Sequence, residues 1–414
     1  MTVAANAMAR PNLFSVLRIR NFALLWSAQA ISQIGDALFN IAMMWLVLQL
    51  TGSALAMGTT EILTQLPRLA FQLIGGVSVD RYDRRMMMLL SDAIRAIVML
   101  AFAILVATNQ IQLLHVYILA IIFGIVSAFF YPAMSALIPN LVANEELISA
   151  NSLSSLTQQG SQIIGPAIAG VLIAVPAVGI AGVSFFNAFS FAVGVLGVAL
   201  MRLPAHLNGA RKTNGSFVHE VKDGFRYLFG FRALVVILFI AMVLNFALAP
   251  VSIVLPIFVK NVLGLGPESF GFVMSAFGIG MVAGSIAVGI RPPTTHRGSI
   301  AFILTTVEGI LFAAVGLLPV FAISSFLAFA CGFVNAIVNT LLMATMQGII
   351  ADEYRGRIFG LMSMISMGLA PMALALAGGL TDVVGAAMVF IAGGVLCAAG
   401  SLYGLTFREI RELQ

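Results

Sequence analysis

From Phe22 to Leu48 the chain runs for 27 residues with a single formal charge, Asp36. A helix of that length exceeds the roughly 30 Å hydrocarbon core of a bilayer. In lipid every backbone N–H and C=O must be satisfied within the segment, so such a stretch is helical. Comparable apolar stretches follow at 54–79, 87–106, 112–137, 153–174 and 178–201. After a polar interval they resume at 233–259, 269–290, 299–317, 320–347, 357–380 and 384–407. The pattern predicts an all-α integral membrane protein with twelve transmembrane helices. Only 9% of residues are charged and 61% are hydrophobic, which excludes a water-soluble enzyme. The first 20 residues hold Arg10, Arg18 and Arg20 but no long apolar core, so no cleavable signal peptide is expected.

The basic residues test this count. With the N-terminus inside, the inner loops and tails receive Arg10, Arg18, Arg20, Arg81, Arg84, Arg85, Arg202, Arg211, Lys212, Lys222, Arg226, Arg232, Arg291, Arg297, Arg355, Arg357, Arg408 and Arg411. Of the 21 Lys and Arg, that leaves Lys260 outside and Arg68 and Arg95 within helices. This positive-inside bias places both termini in the cytoplasm. Positive charge spread along membrane boundaries does not form a nucleic-acid-binding surface.

The polar interval divides the chain into 1–201, a linker at 202–232 and 233–414. LPAHLNGARKTNGS is rich in helix breakers, and FVHEVKDGFRYLFGF after it reads as a short amphipathic helix on the inner membrane surface. IPNLVANEELISANSL at 138–153 and IIADEYRGRIFGLM at 349–362 are both acidic turns leading into a helix, the echo of two parallel repeats.

One hairpin, GGVSVDRYDRR at 75–85, gathers five charges. Topology accounts for Arg81, Arg84 and Arg85, but not for Asp80, Asp83 or the helix-contact residue Gly76. The cluster is either a topological anchor or a latch that holds one conformational state. Its counterpart GIRPPTTHRG, at 289–298, keeps Arg291 and Arg297 but has no acid, so a latch would be asymmetric.

Charges inside spans are costly and mark functional or paired positions. Gln29, Gln33, Asp36 and Asn40 share one face of the first helix. A carboxylate removed from water holds a proton more readily, so Asp36 is the first candidate for proton coupling or cation binding, with a structural hydrogen-bonded acid as the alternative. Glu61 is the second proton-carrier candidate. Arg68 lies seven positions on, about 10 Å along the axis, too far to pair with it directly. Arg68 would position an acid or bind an anionic group, and a structural pairing role is the alternative for Glu61 and Arg68 alike. Asp92 and Arg95, three apart, suit a local pair coupled to the hairpin. Glu308 stands alone in its stretch, as a structural acid or part of a proton route. Asn245, Asn335 and Asn339 offer neutral polar groups to a cavity otherwise lined from the chain's 31 Phe and 21 Met.

No Gly-rich phosphate loop, zinc-protease motif or nucleophile elbow is present, so neither ATP-driven transport nor an enzyme is indicated. Cys331, Cys397 and four scattered histidines give no metal or cofactor pattern.

Gly76, Asp80, Arg81, Arg84 and Arg85 resemble the helix 2–3 loop motif of the major facilitator superfamily, with Asp83 in place of the motif's second glycine. The TGS turn at 51–53, PNLVANEELISANSL and YRGRIFGLMSMISMGLAPMALALAG at 354–378 are similar to the branch containing macrolide efflux proteins and siderophore exporters. Gly165, Pro166 and Gly170, within GSQIIGPAIAG, resemble the Gly-Pro motif of antiporting exporters, and small residues there also suit plain helix packing. The resemblance implies two six-helix bundles rocking about a central cavity lined by helices 1, 4, 7 and 10. It implies a monomeric bacterial inner-membrane antiporter that exchanges protons for bulky hydrophobic or amphipathic drugs, macrolides among them, and so confers antibiotic resistance. A siderophore exporter or lysophospholipid transporter is the nearest alternative, and a non-transporting membrane receptor a more distant one. Partners are then a small-molecule substrate, protons and membrane lipid.

Overall fold

Gly52 ends the first long helix in a left-handed conformation, φ 66°, with its N–H on the Leu48 carbonyl. One residue later the Ser53 hydroxyl accepts from the Ala56 N–H and starts the second. These caps satisfy backbone groups that a helix end leaves open. In this way the TGS turn reverses the chain within three residues. Asp83 does the same for the third helix, accepting from Met86 N–H at 3.0 Å.

The computed structural model describes residues 13–202 and 251–407 apart from 292, 294 and 351, with isolated positions between 203 and 250. The first six helices are α1 Arg20–Thr51, α2 Ala54–Arg81, α3 Arg84–Ala107, α4 Leu113–Leu137, α5 Leu147–Ala174 and α6 Gly179–Ala199. Then come α7 Val251–Ile257, continued by a π-helical turn at Phe258–Val262, and α8 Pro267–Ile290. The last four are α9 Arg297–Leu317, α10 Phe321–Ile349, α11 Asp352–Val384 and α12 Ala386–Gly404. The 202–232 linker and its expected amphipathic helix lie largely outside the described residues.

Among the described residues eight helices are long and apolar enough to cross a membrane, namely α1, α3, α4, α6, α8, α9, α10 and α12. Val251–Val262 and Gly368–Val384 add shorter apolar segments. The protein is thus an all-α, multi-span membrane protein. Of the helices that fall short of twelve, α2 carries Glu61, Gln65 and Arg68, and α5 carries Asn151, Gln158, Gln159 and Gln162. Both pack against helices from the other part of the chain, α2 on α11 and α5 on α8. A helix shielded by protein needs less apolar surface than one facing lipid.

The pairings α2–α4, α3–α4 and α3–α6 recur six helices later as α8–α10, α9–α10 and α9–α12. The distribution of buried residues is less symmetric. One large cluster at the Ser53 end joins Trp45 and Leu48 of α1 and Met57 of α2 to Phe258, Phe270 and Phe390 of the later helices. At the charged-hairpin end there are three separate clusters. One holds Phe22, Met88, Leu137 and Val198 of the early helices, the second Leu238, Phe302, Met346 and Ile358 of the later ones, and the third Val288, Ala301 and Leu341 of the later ones.

Candidate functional site

Contacts between early and late helices are closest at the Ser53 end. A Cβ on Gly170 of α5 would lie 3.0 Å from Glu268 Cα and strike the Pro267 carbonyl, while one on Gly271 of α8 would strike the Pro166 carbonyl. Only glycine lets these two helices cross so closely. Gly165 meets Ala37 of α1 in the same manner. The small residues of the Gly-Pro motif therefore build the α5 crossings with α1 and α8. The Ser275 hydroxyl donates to the Ile163 carbonyl at 3.0 Å, and Lys260 Nζ to the Leu48 carbonyl at 3.3 Å.

Sequence reading missed the residue that ties this end together. Asp382, in the last turn of α11, accepts from Ala54 N–H at 2.6 Å, Leu55 N–H at 3.2 Å and the Ser53 hydroxyl at 2.5 Å. It caps the N-terminus of α2 from another part of the chain. An acid is unfavourable at the C-terminus of its own helix and favourable at an N-terminus. That misplacement, with no base in the same turn, was the available signal.

The hairpin arginines stay within the early helices. Arg84 donates to the Ala136 carbonyl of α4 at 2.9 Å. Arg85 donates to the Val198 and Ala199 carbonyls of α6 at 3.0 and 2.5 Å. Each thus satisfies open carbonyls at a helix C-terminus, where positive charge is also favoured. Arg81 is exposed, and the Asp80 side chain lies outside the described residues. Gly76 has open space beside it, and the close approach expected there is made by Gly75, whose Cβ would strike the Ala128 carbonyl of α4.

Asp36 lines a cavity of about 170 Å³ together with Asn40, Arg68, Arg95, Tyr131 and Phe191. Asn187 of α6 donates to Asp36 at 3.4 Å. Arg68 lies over the Tyr131 ring at 4.8 Å, and Arg95 over Phe130 at 4.3 Å. Arg95 sits 3.6 Å from Asp92, and both are buried. Neither Asp92 oxygen has a hydrogen-bond partner among the described residues, nor do Arg95 Nε and Nη2. Such a pair is strongly coupled to any charge change beside it, because a low-dielectric surround screens little. Arg95, grouped with the hairpin by sequence, thus belongs to the Asp36 cavity. Gln29 and Gln33, on the same helical face as Asp36, line a separate small cleft against α4 and α5. Glu61 is paired with the Gln65 side chain, one turn along toward Arg68.

The later helices hold a second polar site. Asn335 of α10 donates to Glu308 of α9 at 2.8 Å, and Asn339 donates to Asn335 Oδ1 at 2.8 Å. Glu308, read alone in sequence, thus joins Asn335 and Asn339 in one chain, and Glu308 and Asn335 line a cavity of about 330 Å³. Asn245 lies outside the described residues, and no metal-binding cluster of acids, histidines or cysteines occurs among them.

The family model described as transmembrane secretion effector matches residues 12–413. The chain is 26% identical over 397 residues to Macrolide efflux protein A of Streptococcus pyogenes, covering 95% of this chain and 97% of that protein. It is 27% identical over 391 residues to the Multidrug efflux pump Tap of Mycolicibacterium fortuitum, covering 92% and 93%. Among solved structures it resembles a bacterial homologue of the iron transporter ferroportin in an inward-facing state, with TM-score 0.73, 14% identity and coverage of 95% and 100%. It also resembles a bacterial homologue of the lysosomal transporter Spinster, likewise inward-facing, with TM-score 0.68, 12% identity and coverage of 95% and 98%.

Proposed function

This chain belongs to the transmembrane secretion effector family of the major facilitator superfamily, and from that premise we propose that it is a proton-coupled exporter of bulky hydrophobic or amphipathic compounds. It is a secondary transporter of small molecules. The finer reading has twelve spans in two six-helix bundles, 1–201 and 233–414, joined by the 202–232 linker. The hairpin end faces the cytoplasm of a bacterial cell, and the protein works as a monomer in the inner membrane.

The observation that carries this reading is the one-sided contact between early and late helices. A shared core and the Asp382 cap close the Ser53 end, while the buried clusters at the hairpin end keep early and late helices apart. With the hairpin end in the cytoplasm, this supports an inward-open state as one of two alternating states. In the cycle, Asp36 takes a proton from the outside in the opposite state and releases it inside after the bundles rock back. Protonation removes the negative charge beside Arg95 and Arg68, so the arginines are free to re-pair and the cavity's electrostatics change with state. Glu61 is the second carrier. Gly76, Asp80 and Arg81 act when the hairpin end closes, with Arg84 and Arg85 fixing the loop to α4 and α6. The efflux activities named for the two relatives support drugs, macrolides included, as cargo.

A second reading is favoured by Arg68 and Arg95, which give the Asp36 cavity more positive than negative charge. Those arginines suit the anionic groups of a siderophore or a lysophospholipid. Flux into sealed proteoliposomes under an imposed proton gradient separates the two. Gradient-dependent movement of a macrolide, lost in Asp36→Asn, supports the exporter. Movement of only the siderophore or lysophospholipid selects the second reading, and drug flux unchanged in Asp36→Asn overturns the role given to Asp36.

A further inference from the structure

The two cavities carry opposite electrostatics. Arg68 and Arg95 stand on the wall of the Asp36 cavity, whereas the larger one has Glu308 on its wall. Among the described residues no other charged side chain is on that wall; Glu308 is 3% exposed and sits between Phe277, Phe312, Phe390 and Met274. Asn335 holds one carboxylate oxygen, and Asn339 accounts for the orientation by donating to the Asn335 carbonyl oxygen, which turns the amide NH2 toward Glu308. No cation among the described residues pairs with Glu308. Ser324, 1% exposed on the same wall, has a hydroxyl with no hydrogen-bond partner among the described residues.

A buried carboxylate with one hydrogen bond and no counter-charge is costly unless it takes up a proton or something cationic completes it. The rest of the wall selects what kind of cation fits. A hard metal ion takes six or more oxygens, and this wall is almost wholly hydrocarbon. Aromatic faces and a methionine thioether instead stabilise a weakly hydrated organic cation through its charge and its apolar body together. The cavity, about 330 Å³, lies at the small end of drug-sized sites.

We propose that the Glu308 cavity is a binding site for lipophilic monocations, with the charged centre against Glu308 and the body against Phe277, Phe312 and Phe390. Asn335 is a positioning residue that orients the carboxylate. The proposal rests on the exporter reading only in taking the bound molecule as cargo, and it does not depend on Asp36.

The test is equilibrium binding to the full chain in lipid nanodiscs without any gradient. The probes are tetraphenylphosphonium and its anionic isostere tetraphenylborate. Saturable tetraphenylphosphonium binding is expected, at least tenfold tighter than tetraphenylborate binding. Glu308→Gln should weaken it tenfold or more, whereas the charge-matched control Glu268→Gln, outside the cavity, should not. Phe277→Ala, on the same wall, should weaken phosphonium binding several-fold, which keeps the test alive if Glu308→Gln misfolds. Equal weakening of both isosteres by Glu308→Gln, or wild-type phosphonium binding by a folded Glu308→Gln, overturns the proposal. Glu308-dependent binding without gradient-driven flux would refute the exporter reading alone, and flux without that binding would refute this site alone.

Discussion

Replacing Asp382 by alanine removes the acceptor that caps α2 from α11 while leaving the Ser53 hydroxyl on Ala56 N–H. Loss of an N-cap acceptor costs about 0.5–2 kcal/mol and loss of a negative charge at a helix N-terminus about 0.3–1 kcal/mol. Because Asp382 is solvent-exposed, a combined value near 2 kcal/mol is taken, which corresponds to a ~30-fold shift in a two-state ratio. The interaction spans early and late helices, so its loss acts on the equilibrium between states more than on either bundle. A state populated at ~1% in the wild type would rise to roughly a quarter. Spin labels report this directly, in a background with the buried Cys331 and Cys397 replaced by alanine. Labels at the exposed positions Gln110 and Leu318 bracket the Ser53 end, and labels at Tyr82 and Arg291 bracket the hairpin end. Asp382→Ala should add a longer distance at the first pair and a shorter one at the second, in equal fractions, with Asp382→Asn between it and the wild type. Unchanged distributions at both pairs would refute the latch. Lengthening at the first pair alone would mean local fraying of α2 and refute the coupling.

Gly271→Ala drives a methyl into the Pro166 carbonyl, so the first label pair should lengthen with helix content unchanged by circular dichroism; an unchanged distance would show that α5 and α8 can cross with a side chain between them. Arg85→Ala leaves the Val198 and Ala199 carbonyls without their guanidinium, and a loss of about 1–2 kcal/mol should appear as a Tm several degrees lower, partly recovered by Arg85→Lys. Arg68→Ala removes the cation over Tyr131; under the exporter reading macrolide flux should persist in proteoliposomes, whereas its complete loss would favour an anionic cargo. Asp36→Asn should abolish gradient-driven accumulation while leaving exchange of drug across the membrane without a gradient, and loss of both would make Asp36 structural.

Much of the architecture was legible before any coordinates. Lipid forbids unsatisfied backbone, so long apolar runs had to be helices, and basic residues at their ends gave the expected orientation. Local grammar also carried over. The TGS turn placed Gly52 and Ser53 as stop and start signals, and Asp83, the departure from the family pattern, proved to be the N-cap of α3. The charged helices told less, because a sequence states what a residue is and where it sits along one helix, but not which helix faces it. Glu308 read as isolated because Asn335 is 27 positions away in sequence. Arg84 and Arg85 read as an anchor or a latch, and their partners in this state are carbonyls, which every residue carries and no sequence pattern marks. Asp382 and α2 meet across more than 320 positions, so neither segment alone announces the cap. The sequence by itself determined that this chain lies in a membrane as helices, because solvation of the backbone is a local requirement. Only the tertiary structure decided which end of the molecule is closed and which carboxylates line cavities. Those depend on partners distant along the chain, brought together by close helix crossings such as that of Gly170 and Gly271.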